Sequence, residues 1–140
     1  MQWFFFAVLS AIFAALTAIL AKIGIKDVNS NLATAIRTTV ILVFSWGIVA
    51  VQKNLGQIAN ISKHSMLFLV LSGLATGLSW LFYFRALQLG EASKVVPIDK
   101  LSLVITLVFA AIILKEQFTL YTALGAILMT AGALIIAFAK

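Results

Sequence analysis

Long apolar runs broken by short polar joints set the pattern of this chain. Five runs reach the ~20 mostly apolar residues that a helix needs to cross a lipid core. They cover about residues 3–21, 32–51, 66–89, 95–114 and 119–139. The first joint reads Lys26-Asp27-Val28-Asn29-Ser30-Asn31. A second, from Gln52 to Ser65, holds Lys53, Asn54, Gly56, Asn60, Lys63 and His64. Gly90-Glu91-Ala92-Ser93-Lys94 and Lys115-Glu116-Gln117 supply the last two. No alternation of period two marks a barrel, and open strands cannot span lipid, so five transmembrane helices are predicted. Residues 1–140 then read as one all-α, five-helix transmembrane domain.

Composition strengthens that reading. The chain is 64% hydrophobic and 10% charged, with mean hydropathy +1.17. A soluble fold of this length has too little interior to hide so much apolar surface, so the bilayer is the first expected partner. The sequence has no cysteine and one histidine, His64. That removes disulfides, thiolate and His-rich metal sites and a Ser–His–Asp triad; no metal or cofactor is expected. The net charge of +6 comes from lysines scattered at run ends. It fits snorkelling to lipid headgroups better than nucleic-acid binding. Met1-Gln2 supplies no basic leader, and no small-residue cleavage site closes the first run. That run is read as a retained helix rather than a signal peptide.

An odd number of spans puts the termini on opposite sides. Lys53, Lys63 and Lys115 fall on one side. Lys22, Lys26, Lys94 and Lys140 fall on the other, with Arg37, Arg85 and Lys100 slightly deeper. The bias weakly favours a cytoplasmic C-terminus. Its margin is four against three without the deeper residues, small enough to let copies insert both ways.

Packing signals come next. In lipid, helices associate through small residues and polar contacts. The first run has Ala7, Ala11 and Ala15, with Ala14 and Ala18. The third has Gly73 and Gly77. The fifth has Thr122, Ala126 and Thr130, then Ala133 and Ala137. Each serves either packing within one bundle or a seam between subunits, and the fifth is the best seam candidate.

Candidate chemistry lies on three faces. Ser72, Thr76, Ser79 and Tyr83 share one face of the third helix, with Trp80 and Phe84 beside it. Ser10, Phe13 and Thr17 belong to the first helix; Asp99, Ser102 and Thr106 share a face of the fourth. A single hydroxyl in a helix commonly bonds its own backbone. Three aligned stripes point instead to a shared aqueous cavity. Asp99 and Lys100 lie ~7–9 Å in from the start of the fourth run at ~1.5 Å per residue. A buried carboxylate needs a partner or water. Lys100, Arg85 and Arg37 are the candidate partners, in a structural charge network or at a substrate or proton site. Arg37 and Arg85, one turn inside their helices, serve either as an anion-attracting cavity mouth or as snorkelling ends. Pro97, the only proline, reads as a first-turn residue with Ser93 as N-cap. Trp3, Trp46, Tyr83 and Tyr121 include interface anchors. His64 reads as a solvated loop residue. No nucleophile–base pair, phosphate loop or metal spacing appears, which disfavours an intramembrane enzyme.

The run Trp80-x-x-Tyr83-Phe84-x-Ala86-Leu87-x-x-Gly90-x-Ala92-Ser93-x-Val95-x-Pro97 resembles the EamA-type repeat of the drug/metabolite transporter superfamily. Leu101 to Leu114, Lys115-Glu116, Gly125 and Gly132 are similar to that repeat's end. The resemblance covers essentially the whole chain. It implies half of a ten-helix transporter whose two five-helix repeats are inverted, with alternating access between them. The missing half would come from an antiparallel homodimer or a homologous five-helix partner. In size the chain also resembles the four-helix small multidrug resistance proteins. Their first-helix glutamate has no counterpart here, which argues against proton-coupled export of lipophilic cations.

The expectation is therefore a multi-pass protein of the bacterial or archaeal cell (inner) membrane that exports a small metabolite. Its cavity is expected to be lined by Ser10, Phe13, Thr17, Ser79, Trp80, Tyr83, Asp99 and Ser102. Arg37, Arg85 and Lys100 would favour anionic or zwitterionic solutes. Two alternatives are a non-transporting accessory or assembly subunit and a lipid or polyprenyl-carrier flippase.

Overall fold

The computed structural model describes residues 2–139, and its regular elements are helices. They are α1 (Gln2–Gly24), α2 (Ser30–Val51), α3 (Lys63–Leu89), α4 (Ala92–Asp99), α5 (Leu101–Ile113) and α6 (Leu120–Phe138), with a 3₁₀ turn at Leu55–Asn60. Helices α4 and α5 together form one span, Ala92–Ile113, so the five predicted spans are present. Met1 and Lys140, used above for the leader and for the charge bias, lie outside the described residues.

The polar joints start and stop these helices. Asn29 caps α2, its Oδ1 accepting from the Asn31 and Leu32 amides at 2.9 and 3.3 Å. Ser62 Oγ accepts from the Ser65 amide at 3.0 Å, and Thr119 Oγ1 from the Thr122 amide at 3.2 Å. Each satisfies a donor that a helix start leaves without a partner. At the end of α2 the Lys53 amide donates to Ala50 O at 3.0 Å and the Asn54 amide to Val49 O at 3.1 Å. That is a Schellman turn, and it places Lys53 at φ 57°. Lys115, after α5, sits at φ 56°.

Contacts sort the chain into two compact units, residues 1–22 with 89–140 and residues 23–88. In the first, α6 packs along α4 and α5, with Ala126 and Ala133 buried. Lys22 Nζ donates to Gly90 O at 2.7 Å. In the second, Ile25, Phe84 and Leu87 are the largest fully buried side chains. Gln88 Nε2 donates to Val28 O at 2.9 Å. Outside these contacts the helices expose large apolar groups, such as Phe82 at 74% and Leu128 at 73%. Water would penalise that surface; acyl chains do not.

Three expectations need correction. The fourth helix begins at Ala92, with Glu91 in extended conformation before it, so Ser93 and Lys94 are helical and Ser93 is not the N-cap. Pro97 then lies inside α4 rather than in its first turn. A proline there has no amide to give the carbonyl four residues back, that of Ser93. His64 belongs to the first turn of α3, not to the loop, and its ring packs 4.7 Å from that of Phe68. The small-residue signals divide. Ala126 and Ala133 of the preferred seam helix are buried. A Cβ built on Gly73, Gly77, Gly125 or Gly132 would meet nothing within 4 Å, so none of the four is packed closely against a helix of its own unit.

Candidate functional site

Two places in the described residues hold charge deep inside a span, away from its ends. The first is the interruption of the fourth span. Pro97 weakens α4 from within, and the helix stops at Asp99. Lys100 carries φ −68° and ψ −9°, a tighter turn than α-helix. The Leu103 amide bonds Lys100 O at 3.0 Å, a three-residue closure of 3₁₀ type. Lys100 Nζ lies 3.5 Å from Asp99 Oδ2, the two side chains 48% and 34% exposed. With the span starting at Ala92, the pair lies ~11–12 Å in along it, deeper than the sequence suggested. Backbone irregularity at such depth is tolerated where protein or water covers it.

The second is an intact stretch of α2 and α3. The Arg37 guanidinium carbon lies 4.5 Å from the Phe84 ring centroid and 5.4 Å from that of Trp80. Trp80 and Phe84 are four residues apart, so α3 presents both rings on one face. Tyr83 meets Phe84 edge-on at 6.0 Å between centroids. Phe84 is 1% exposed, while Arg37 and Trp80 are half-buried. Aromatic faces carry negative potential and offset part of the cost of a cation in lipid, by about 0.5–2 kcal/mol. Arg85 is held differently, its Nη1 donating to Gln88 Oε1 at 2.8 Å.

The expected cavity set is divided between the two units. Ser10, Phe13, Thr17, Asp99 and Ser102 belong to the first; Ser79, Trp80 and Tyr83 belong to the second. Ser10, Phe13, Ser79 and Ser102 are exposed, whereas Thr17, Trp80, Tyr83 and Asp99 are half-buried. Of the proposed charge partners, Lys100 pairs with Asp99, while Arg37 and Arg85 belong to the other unit. Thr76 Oγ1 donates to Ser72 O at 2.9 Å, so one member of the α3 stripe is bound by its own helix. An open cleft of about 550 Å³ lies between the end of α2 and the 3₁₀ turn, lined by Trp46, Asn54, Gln57 and Ile58 among others. It includes none of the predicted residues. The Arg37 stack was not foreseen, although the four-residue spacing of Trp80 and Phe84 was its visible signal.

Comparison with known proteins agrees with this architecture. A family model described as the EamA-like transporter family matches residues 1–138. An "uncharacterized transporter in cobO 3'region" of Sinorhizobium sp is 50% identical over 136 residues, which span 97% of this chain and 96% of that protein. No solved structure matches.

Proposed function

The chain belongs to the EamA-like transporter family and is a multi-pass membrane transporter, and from that premise we propose that it exports a small metabolite by alternating access. It acts as an antiparallel homodimer or beside a homologous five-helix partner, in the bacterial or archaeal cell membrane. The interrupted fourth span carries this reading. Transporters bind substrates and coupling ions near the midplane, where broken helices leave backbone groups and charges available. Pro97, Asp99 and Lys100 put such a break ~11–12 Å into a ~30 Å core.

In the working site, Phe13, Trp80 and Tyr83 supply an adaptable apolar wall. Ser10, Thr17, Ser79 and Ser102 supply orienting hydrogen bonds. Asp99 is the carboxylate whose charge changes partner during the cycle. Arg37, Arg85 and Lys100 bias entry toward anionic or zwitterionic solutes. Inverted pairing supplies the second half-site that one five-helix unit lacks. The four-residue spacing of Gly73 and Gly77 supports α3 as a seam between subunits, since such spacing lets helix backbones meet.

The natural absence of cysteine makes a clean test. Single-cysteine variants Ser79→Cys and Ser102→Cys are labelled in intact membranes with a membrane-impermeant maleimide. Metabolites that accumulate in the medium are compared between expressing and non-expressing cells. The reading predicts labelling at both positions and a distinct solute in the medium. Unlabelled cysteines with an unchanged medium would favour an accessory subunit instead.

A further inference from the structure

The Arg37 stack has no structural need for its remaining chemistry. Phe84 and Trp80 lie against the guanidinium carbon at 4.5 and 5.4 Å, and neither ring offers the group a hydrogen-bond acceptor oxygen or nitrogen. Its N–H donors point outward in the guanidinium plane. Within its own unit no hydrogen bond from them is present, whereas Arg85 is bonded to Gln88; Tyr83 adds an electrostatic contact to Arg37. Arg37 stands seven residues into α2, ~10 Å along the helix from Ser30. A half-buried cation there whose donors bond no residue of its own unit is prepared for an external acceptor.

We infer that Arg37 is the specificity-determining residue of this transporter, reading the carboxylate of a small monoanionic or zwitterionic solute while Trp80 and Phe84 lie against its guanidinium. The inference deepens the transport reading and rests on it. Three observations select a carboxylate. The fork of N–H donors matches two coplanar oxygens. The stack contains one cation, which neutralises one negative charge; a phosphate monoester would leave a surplus charge in an apolar span. The rings flanking the guanidinium offer an apolar surface to the solute's carbon skeleton. Lysine cannot replace this residue, because an ammonium has neither the plane that stacks nor the fork that pairs.

The other source of the same anionic chemistry is a lipid phosphate reached by snorkelling. The experiment separates the two. In a Trp3→Phe, Trp46→Phe background, Trp80 is the single tryptophan and reports directly on the stack. The purified protein is placed in nanodiscs of phosphatidylglycerol and of a phosphate-free galactolipid. Each is titrated with acetate, lactate, alanine and glutamate, and with the corresponding neutral amides. The proposal predicts a saturable change in Trp80 emission with at least one carboxylate and not with its amide. It should be the same in both lipids and at least tenfold weaker in affinity in Arg37→Lys. Emission that follows lipid phosphate and ignores the carboxylates would overturn the proposal in favour of a headgroup contact. Equal affinity in Arg37→Lys would overturn it as well.

Arginine-selective ¹⁵N labelling removes any dependence on a variant that folds poorly. The chain has two arginines, Arg37 and Arg85, so their guanidinium signals are separable. The carboxylate should shift the Arg37 signal and leave the Arg85 signal in place; no shift at Arg37 would contradict the proposal. Flux distinguishes this inference from its premise. Carboxylate binding at Arg37 without flux in proteoliposomes would sink the transport reading and leave the recognition site. Flux of the same carboxylate, unchanged by Arg37→Lys, would do the reverse.

Discussion

The two units hold charge inside apolar helices in opposite ways. In the first, the helix gives way: Pro97 lies inside α4, the span breaks, and Asp99 and Lys100 meet at 3.5 Å. In the second, α2 and α3 run unbroken and the cation is carried on aromatic faces. The first arrangement leaves an exposed lysine and a half-buried carboxylate beside a break in the helix. The second keeps its backbone intact, with Phe84 buried and both rings on one helix face. The difference teaches that a charge in a span is read by its support: a break in the helix beside one, aromatic rings against the other.

The largest effect that would break this comparison is loss of the aromatic support. Phe84→Ala removes the most buried aromatic and one face of the Arg37 stack. It should cost about 3 kcal/mol, the low end for a buried phenylalanine because lipid replaces part of the lost burial. Thermal or denaturant unfolding in detergent measures it; a change under 1 kcal/mol would show that the ring is not a support.

Next is Asp99→Asn, which leaves the break but removes the carboxylate. Export should fall at least tenfold, about 1.4 kcal/mol, while the yield of folded protein and its elution in size-exclusion chromatography stay unchanged. Parallel loss of fold and flux would make Asp99 a structural residue.

A smaller effect concerns helix ends. Lys53 occupies a left-handed position that suits glycine, so Lys53→Gly should raise stability by up to ~1 kcal/mol without altering export. Destabilisation would point to a role for the lysine side chain that its backbone does not reveal.

The smallest is a control for the Asp99–Lys100 pair. Glu91 and Lys94 also meet at 3.5 Å, but the Glu91 side chain is 72% exposed. Glu91→Gln should alter stability by less than ~0.5 kcal/mol, as exposed pairs do, and leave flux intact. A tenfold loss of flux would show that distance, not position at the break, governs these pairs.

Span positions were legible because lipid demands long apolar runs, and hydropathy reads those directly. Boundaries were less so. Ser93 is a good N-cap by residue type, yet Ala92 starts the helix, because polar Ser93 and Lys94 are tolerated at the end of a span. Moving that start by three residues turned Pro97 from a helix-starting residue into a helix-weakening one and placed Asp99–Lys100 deeper. The Arg37 stack depends on how α2 faces α3, across 43 residues of sequence for Trp80. Local periodicity carries no such information. Lysine at the left-handed positions 53 and 115 gave no signal either, since composition marks glycine or asparagine there.

The account rests most heavily on an inverted pairing of two five-helix units. Fusing to the C-terminus a reporter active only in the cytoplasm, and in a second chain one active only outside, tests it most directly. Signal from both reporters is the predicted result, with copies inserted in both orientations and an antiparallel homodimer formed from one chain. Signal from a single reporter would contradict the homodimer.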